Sequence, residues 1–289
     1  MRTPVNFLLV NLAVADMVVA IFLTPQLLSF HISFTHPDGL IGTVLCKLLT
    51  TANFTYVGAG ASVFTLICIS VERYFNVLYP HGAKGRLTKR KLKVLVPCSW
   101  IFGVSLKVPA FLSYVYVKEV GGCVYLLTEE WMGKLLSMSW FIFLGFLPVV
   151  VMTALYSRVV YALWFKSSDN AGNNSQQGVM KVRKRVTLMV FIVSIIFGVC
   201  WGTNTVGYLM VDFFPSHKFH TIEASNTIVL FNSAINPIIY ALVNERFKEK
   251  FKAMLCCSRR RVRVHPAGES HGIENNTNPT DAKIETGRN

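Results

Sequence analysis

Six stretches of this chain are long and apolar enough to cross a lipid bilayer, and no soluble core could absorb them all. A crossing helix takes about 20 mostly apolar residues. Segments of that kind run over roughly 5–30, 48–77, 93–115, 135–164, 186–211 and 222–243. In hydrocarbon every backbone N–H and C=O must be satisfied within the protein, so such segments become helices. The pattern predicts an all-α membrane protein, a bundle of six spans. Composition agrees: 15% of residues are charged, against about 25% in soluble domains.

The charge between the spans sets their direction. Arg2 precedes the first span, and Lys84, Arg86, Lys89, Arg90, Lys91 and Lys93 separate the second from the third. Lys181, Arg183, Lys184 and Arg185 precede the fifth, and Arg246, Lys248, Lys250 and Lys252 follow the sixth. The intervening loops are nearly neutral or acidic, with Glu119, Glu129, Glu130, Asp212 and Glu223. Basic residues therefore alternate loop by loop, which places both ends of the chain in the cytoplasm. The net charge of +14 belongs to span flanks, not to a basic surface with exposed aromatics, so nucleic-acid binding is excluded. Residues 258–289 are polar and unpatterned, the composition of a disordered tail.

Polar residues inside the spans are costly and mark function. Asp16 lies mid-span in NLAVAD; the plainer reading is a helix-packing hydrogen bond. Asn232, Ser233 and Asn236 lie in NSAINPIIY, ahead of Pro237, which removes a backbone donor. Ser62 lies in the second span. Asp16, Ser62, Asn232, Ser233 and Asn236 together offer the hard oxygens that a small cation such as sodium prefers. The second span ends in ISVERYFNVLYP, with Glu72, Arg73 and Tyr74 in succession. Read alone, Arg73 could simply snorkel to anchor the helix end.

Taken in order, these segments resemble the rhodopsin-like (class A) G-protein-coupled receptors. TPVNFLLVNLAVAD is similar to the family's second helix, and SVFTLICISVERYFNVLYP to the end of its third. Trp100 and Pro109 match the fourth, Pro148 and Tyr156 the fifth, and FGVCWG the sixth. NPIIY followed by ERFKEKF matches the seventh helix and a short amphipathic eighth. The tone of the motifs resembles neuropeptide receptors. The resemblance covers residues 3 to 257 and implies a receptor-type bundle over 1–257, with 258–289 as cytoplasmic tail, in the plasma membrane.

The resemblance implies roles for particular residues. Glu72 holds Arg73 at rest; on activation Arg73 becomes available to a heterotrimeric G protein near Tyr74, Tyr156, Asn236, Pro237 and Tyr240. Arrestin and other receptors are further partners of the kind. An extracellular ligand, a peptide, would sit among Gln26, Thr55, Tyr56, Trp201, Asn204, Thr205, Tyr208 and Asn226, with Glu129 and Glu130 at the mouth. Phe197 and Trp201 would form the ligand-sensitive aromatic pair. Cys46 and Cys123 correspond to the family's outer disulfide, and Cys256 and Cys257 to palmitoylation sites. Thr55 stands where amine receptors carry an aspartate, and Leu230 where opsins carry the retinal lysine. Both ligand classes are therefore disfavoured. Sequons at Asn53, Asn173 and Asn275 fall in a helix or on the cytoplasmic side and are expected to stay unglycosylated.

Four departures stand out. The family's first helix has no counterpart, which suggests a clipped receptor or a six-span, non-signalling product that pairs with full receptors. Thr203 replaces the proline expected after Trp201, so the sixth helix should be less kinked. Cys46 lies 27 residues before Arg73, two more than usual, which requires an altered helix entry. Arg183 stands where some members carry an acid, so no inter-helix lock to Arg73 is expected. A channel or transporter would show a filter, a sensor or repeated halves. An enzyme would show HExxH, paired carboxylates or an activated nucleophile. The sequence has neither set.

Overall fold

The structure is a computed structural model, and it describes residues 4–29, 31–32, 36–79, 87–126, 129–166, 174–214 and 218–243. Its helices are α1 (Pro4–Ser29), α2 (Leu40–Leu45), α3 (Asn53–Leu78), α4 (Lys89–Ser113), α5 (Glu130–Trp140), α6 (Leu147–Tyr161), α7 (Asn174–Phe213) and α8 (Lys218–Val243). Wide π-helical turns extend α2 through Cys46–Thr50, join α5 to α6 through Phe141–Phe146 and close α6 at Ala162–Lys166. Five stretches among the described residues are long and apolar enough to cross a membrane: Pro4–Ser29, Leu40–Leu78, Lys89–Ser113, Trp131–Phe165 and Lys184–Phe213. The sixth predicted segment, 222–243, is helical within α8.

The helices turn polar groups inward and apolar ones outward. On α1, Asn11 and Asp16 are buried while Val10, Met17 and Ile21 are exposed. That is the reverse of a soluble helix and the arrangement hydrocarbon demands. The third helix of the fold, α3, is the axis: it touches α1, α4, α6 and α7, and residues 55–63 are buried without interruption. Small residues let its neighbours come close. A Cβ on Gly103 of α4 would lie 2.2 Å from the Val57 carbonyl oxygen, and one on Gly60 would lie 2.5 Å from the Gly103 Cα. The α3–α4 seam is thus a backbone-to-backbone contact of the kind small residues permit in membranes.

Several elements differ from the sequence reading. The second span was expected over 48–77. Instead the helix breaks at residues 51–52, where Ala52 adopts a left-handed conformation with φ 49°, and α3 begins at Asn53. The side chains mend the break: Thr51 Oγ1 donates to the Cys46 carbonyl at 2.7 Å, and Asn53 Nδ2 donates to the Lys47 carbonyl and to Thr51 Oγ1, both at 2.9 Å. A π-turn takes in more residues than an α-turn, so the widened Cys46–Thr50 turn and the left-handed residue absorb the extra spacing before Arg73. The span expected over 135–164 is longer, running from α5 through α6. The all-helical expectation has one exception, an antiparallel hairpin of β1 (Tyr114–Val117) and β2 (Gly122–Tyr125) in the outer loop after α4.

That hairpin is fastened to α2. Cys123 of β2 is disulfide-bonded to Cys46, as expected. Thr43 Oγ1 accepts from the Tyr116 backbone N–H at 3.3 Å, and Lys118 pairs with Asp38 at 2.5 Å. The hydrogen bond from Lys118 holds the Asp38 carboxyl below the ordinary carboxylate range. At Thr203, α7 is continuous, and the hydroxyl donates to the Val199 carbonyl at 2.8 Å.

The seam gives a direct test. Gly103→Ala forces a methyl against backbone and should destabilise the protein by about 1–3 kcal/mol, the cost of overpacking. Gly202→Ala, whose Cβ would meet nothing within 4 Å, should stay within about 0.5 kcal/mol of the parent. Thermal unfolding of the detergent-solubilised protein checks both. Equal melting points would mean that α3 and α4 do not pack in this register.

Candidate ligand pocket and activation switch

The outer halves of α1, α3, α7 and α8 are tied by one polar network. Asn204 of α7 is its hub. Its Nδ2 donates to Asn226 Oδ1 at 2.9 Å and to Ser225 Oγ at 3.3 Å, both on α8. Its Oδ1 accepts from the Tyr56 hydroxyl of α3 at 3.5 Å. Asn226 Nδ2 in turn donates to Gln26 Oε1 of α1 at 3.3 Å and to the Tyr208 hydroxyl at 3.4 Å. Five of the eight residues expected in the pocket, Gln26, Tyr56, Asn204, Tyr208 and Asn226, therefore meet one another.

The other three lie at its edges. Trp201 touches Tyr56 edge-to-face, with ring centroids 5.9 Å apart. Thr205 spends its hydroxyl on the Trp201 and Gly202 carbonyls of its own helix. It packs against α5–α6, where Gly145 leaves the room: a Cβ there would lie 2.8 Å from Thr205 Oγ1. Thr55 turns away, its Oγ1 3.5 Å from the Val19 carbonyl of α1, on the α1–α3 seam.

Below Tyr56 the contacts continue inward. Trp201 stacks on Phe197 with centroids 5.9 Å apart, and both are buried. Asp16 accepts from Ser62 Oγ at 3.0 Å and from Asn236 Nδ2 at 2.6 Å. Asn232 and Ser233 are buried with it. Among the described residues, Asn232 Oδ1 and Nδ2, Ser233 Oγ and Asn236 Oδ1 are enclosed without a hydrogen-bond partner. Such orphaned oxygens are rare and point to a water or ion. The donor set, one carboxylate with hydroxyl and amide oxygens, suits a small hard cation.

At the cytoplasmic end of α3, Arg73 Nε donates to Glu72 Oε2 at 2.6 Å, and the pair also meets through Nη2 at 2.5 Å. Asn76 Nδ2 donates to the other carboxylate oxygen, Oε1. The glutamate is therefore held on both oxygens and buried. Tyr156 is fully enclosed, accepts from Ser194 Oγ at 3.5 Å and lies within electrostatic range of Arg73. Tyr74 packs edge-on against Phe75, centroids 5.4 Å apart. The side chains of Pro237, Tyr240 and Arg183, the segment 245–251, Cys256 and Cys257, and the tail 258–289 lie outside the described residues.

Sequence reasoning missed several members. Lys107 of α4 is buried, its Nζ 4.2 Å from the Tyr56 ring centroid and 4.0 Å from that of Trp140. Trp140 stacks on Tyr56 with centroids 5.0 Å apart. A lysine inside a predicted span was itself the available signal. Asn11 was missed too: it donates to Thr65 Oγ1 at 2.8 Å and Ser99 Oγ at 3.2 Å, and accepts from Trp100 Nε1 at 3.0 Å. This cluster binds α1, α3 and α4. At the rim Asp212 accepts from Ser137 Oγ. Burial, with the Asp212 charge, pushes the Tyr125 phenol up to about 12.

The network predicts its own cost of removal. Asn204→Leu leaves Asn226, Ser225 and Tyr56 without their shared partner and should destabilise by about 1–3 kcal/mol. Thr203→Leu, one residue away and exposed, should not. Paired melting curves in detergent decide; a silent Asn204→Leu would mean that the network does not form.

Comparison with known proteins places this geometry. The family described as 7 transmembrane receptor (rhodopsin family) matches residues 1–240. The pyroglutamylated RF-amide peptide receptor of Rattus norvegicus is 29% identical over 282 residues, covering 89% of this chain and 63% of that protein. The allatostatin-A receptor of Bombyx mori is 29% identical over 268 residues, with 89% and 72% covered. Galanin receptor 2a of Danio rerio is 28% identical over 270 residues, with 90% and 72% covered. The chain thus spans less than two thirds of the rat receptor's length. Its relatives are receptors rather than enzymes, and like them it is a multi-pass protein of the plasma membrane. The residue motifs, the disulfide and the family match converge: this chain belongs to the rhodopsin family of seven-transmembrane receptors and is similar to its neuropeptide receptors.

Proposed function

We propose that the chain is a receptor for an extracellular peptide, which binds in the outer polar network and promotes nucleotide exchange on a heterotrimeric G protein at Arg73. One observation carries the reading. Tyr56 belongs to the outer network through Asn204 and also touches Trp201, which stacks on Phe197. A ligand that repositions Tyr56 therefore acts on α7, the helix that also carries Ser194, in contact with Tyr156. The names of the relatives support a peptide as the ligand class.

The switch is energetically accessible. The Glu72–Arg73 pair sits near the membrane edge, and both side chains are largely buried, with the arginine 13% and the glutamate 8% exposed. Parting them therefore costs about 3–5 kcal/mol, as when a buried pair loses one partner, and a ligand offsets that through its differential affinity for the two states. The polar cluster at Asp16 would add a second input. Asp16, Ser62, Ser233 and the amide oxygens of Asn232 and Asn236 would hold a sodium ion, which supplies positive charge to neutral and acidic oxygens alike. Tightening of these oxygens opposes separation of α1, α3 and α8.

Two experiments test this. Membranes carrying the full chain are exposed to a pyroglutamylated RF-amide peptide, allatostatin A and galanin, and nucleotide exchange is measured with purified G proteins. At least one peptide should stimulate exchange, and Arg73→Ala should lower it about tenfold or more, a loss of about 1.4 kcal/mol in coupling. Unchanged exchange in Arg73→Ala removes the arginine from the mechanism. Replacing potassium by sodium at about 150 mM should weaken agonist potency several-fold, within the usual range of about 5–150-fold for coupled sites. Asp16→Asn should abolish that sodium effect; its persistence would rule out the Asp16 site.

A further inference from the structure

Lys107 is a basic side chain inside the bundle that meets no acid among the described residues. It lies two residues before Pro109 on α4 and is 3% exposed. Among the described residues its ammonium meets two ring faces, Tyr56 and Trp140, at 4.2 and 4.0 Å. The described carboxylates are engaged elsewhere or lie outside the bundle. Asp38, Glu72 and Glu223 are in ion pairs with Lys118, Arg73 and His31. Asp16 is held by Ser62 and Asn236, and Asp212 by Ser137. Glu119 and Glu129 sit exposed in the outer loop.

Two aromatic faces attract a cation but do not saturate it. An ammonium has three N–H donors, and π-faces offset only part of the desolvation that burial imposes. The rest of the pocket is neutral: Gln26, Tyr56, Asn204, Tyr208 and Asn226 carry amides and phenols. Lys107 is therefore the basic group among these described pocket residues, with Asp212 at the rim, and it favours an anionic group on the ligand. The site is also built. Trp140 is fixed by Nε1 donating to the Leu106 carbonyl at 3.3 Å and by stacking on Tyr56. Tyr56 is fixed by Asn204.

We infer that Lys107, framed by Tyr56 and Trp140, is the anion subsite of the pocket and takes a carboxylate of the ligand. The inference rests on reading the outer half of the bundle as the ligand pocket. The carboxylate accepts from the Lys107 N–H donors that do not face the two rings; because Lys107 is 3% exposed, its entry requires the surrounding side chains to part. Because the same Tyr56 ring touches Trp201, a carboxylate that draws Lys107 off Tyr56 changes what Trp201 packs against. The charged end of the ligand is thus the end that reaches the switch. A peptide offers such a group as an acidic side chain or as a free C-terminus.

Three blocked dipeptides separate these cases by binding alone. Acetyl-aspartyl-phenylalanine amide carries a side-chain carboxylate, acetyl-asparaginyl-phenylalanine a terminal one, and acetyl-asparaginyl-phenylalanine amide neither. Each is titrated against the full chain in nanodiscs by calorimetry, with affinities on the order of millimolar for probes this small. At least one acid should bind about tenfold tighter than the neutral probe, the step worth about 1.4 kcal/mol. That preference should vanish in Lys107→Met, whose apolar chain still fills the slot, and persist in Lys107→Arg. Which acid is preferred identifies the source of the carboxylate. No preference in the parent protein, or a preference that survives Lys107→Met, overturns the subsite and leaves Lys107 as a packing strut. If Lys107→Met does not fold, Lys107→Gln serves under the same criteria. The readout needs no G protein, so a failure of nucleotide exchange and a failure of this subsite are separate results.

Discussion

A polar side chain in hydrocarbon has nowhere to turn but to another side chain, and this constraint organises the whole bundle. Each level of the structure is a meeting of buried polar groups from different helices. Asn11 gathers α1, α3 and α4; Asp16 gathers α1, α3 and α8; Asn204 gathers α3, α7 and α8. The apolar residues around them face lipid or fill gaps, and they discriminate little between one helix arrangement and another. Specific packing comes from these clusters and from the glycine seam of α3 and α4. The helix common to all three clusters is α3.

This arrangement also explains how a signal could cross the bundle without a large rearrangement. The clusters are stacked along α3, with the aromatic set Tyr56, Trp201 and Phe197 between the outer network and the buried acid. Each cluster is small and enclosed, so it has few alternative hydrogen-bonding states. A packed interior of this type switches between discrete arrangements instead of deforming smoothly.

Much of this was legible in the sequence, and the reason is chemical. An aspartate in the middle of an apolar span, an acid beside an arginine at a span's end, and two cysteines in outer loops are anomalies against a uniform background. Asp16, Glu72, Arg73, Cys46 and Cys123 all stood out for that reason, and the structure pairs each with a partner named in advance. Helix faces were harder. Apolar residues surround these spans, so periodicity does not say which side looks inward, and Thr55 was assigned to the pocket although it faces α1. Lys107 lay well inside a predicted span, a signal in itself, but the sequence does not say which helices it faces. Only the neighbouring Tyr56 and Trp140, from other helices, turn it inward. The break at residues 51–52 was hidden because a π-turn and one left-handed residue leave no compositional trace.

That break has a consequence for biosynthesis. Asn53 begins the sequon Asn53-Phe54-Thr55, and the amide nitrogen that would receive a sugar is the one that donates to Lys47 and Thr51 to close the turn. The side chain is 1% exposed once the helix has formed. Glycan transfer would replace one of the two amide hydrogens that these bonds use, so the turn could not keep both bonds and carry a sugar. A sugar on Asn53 would therefore have to be attached before the turn closes, since the closed turn buries the side chain.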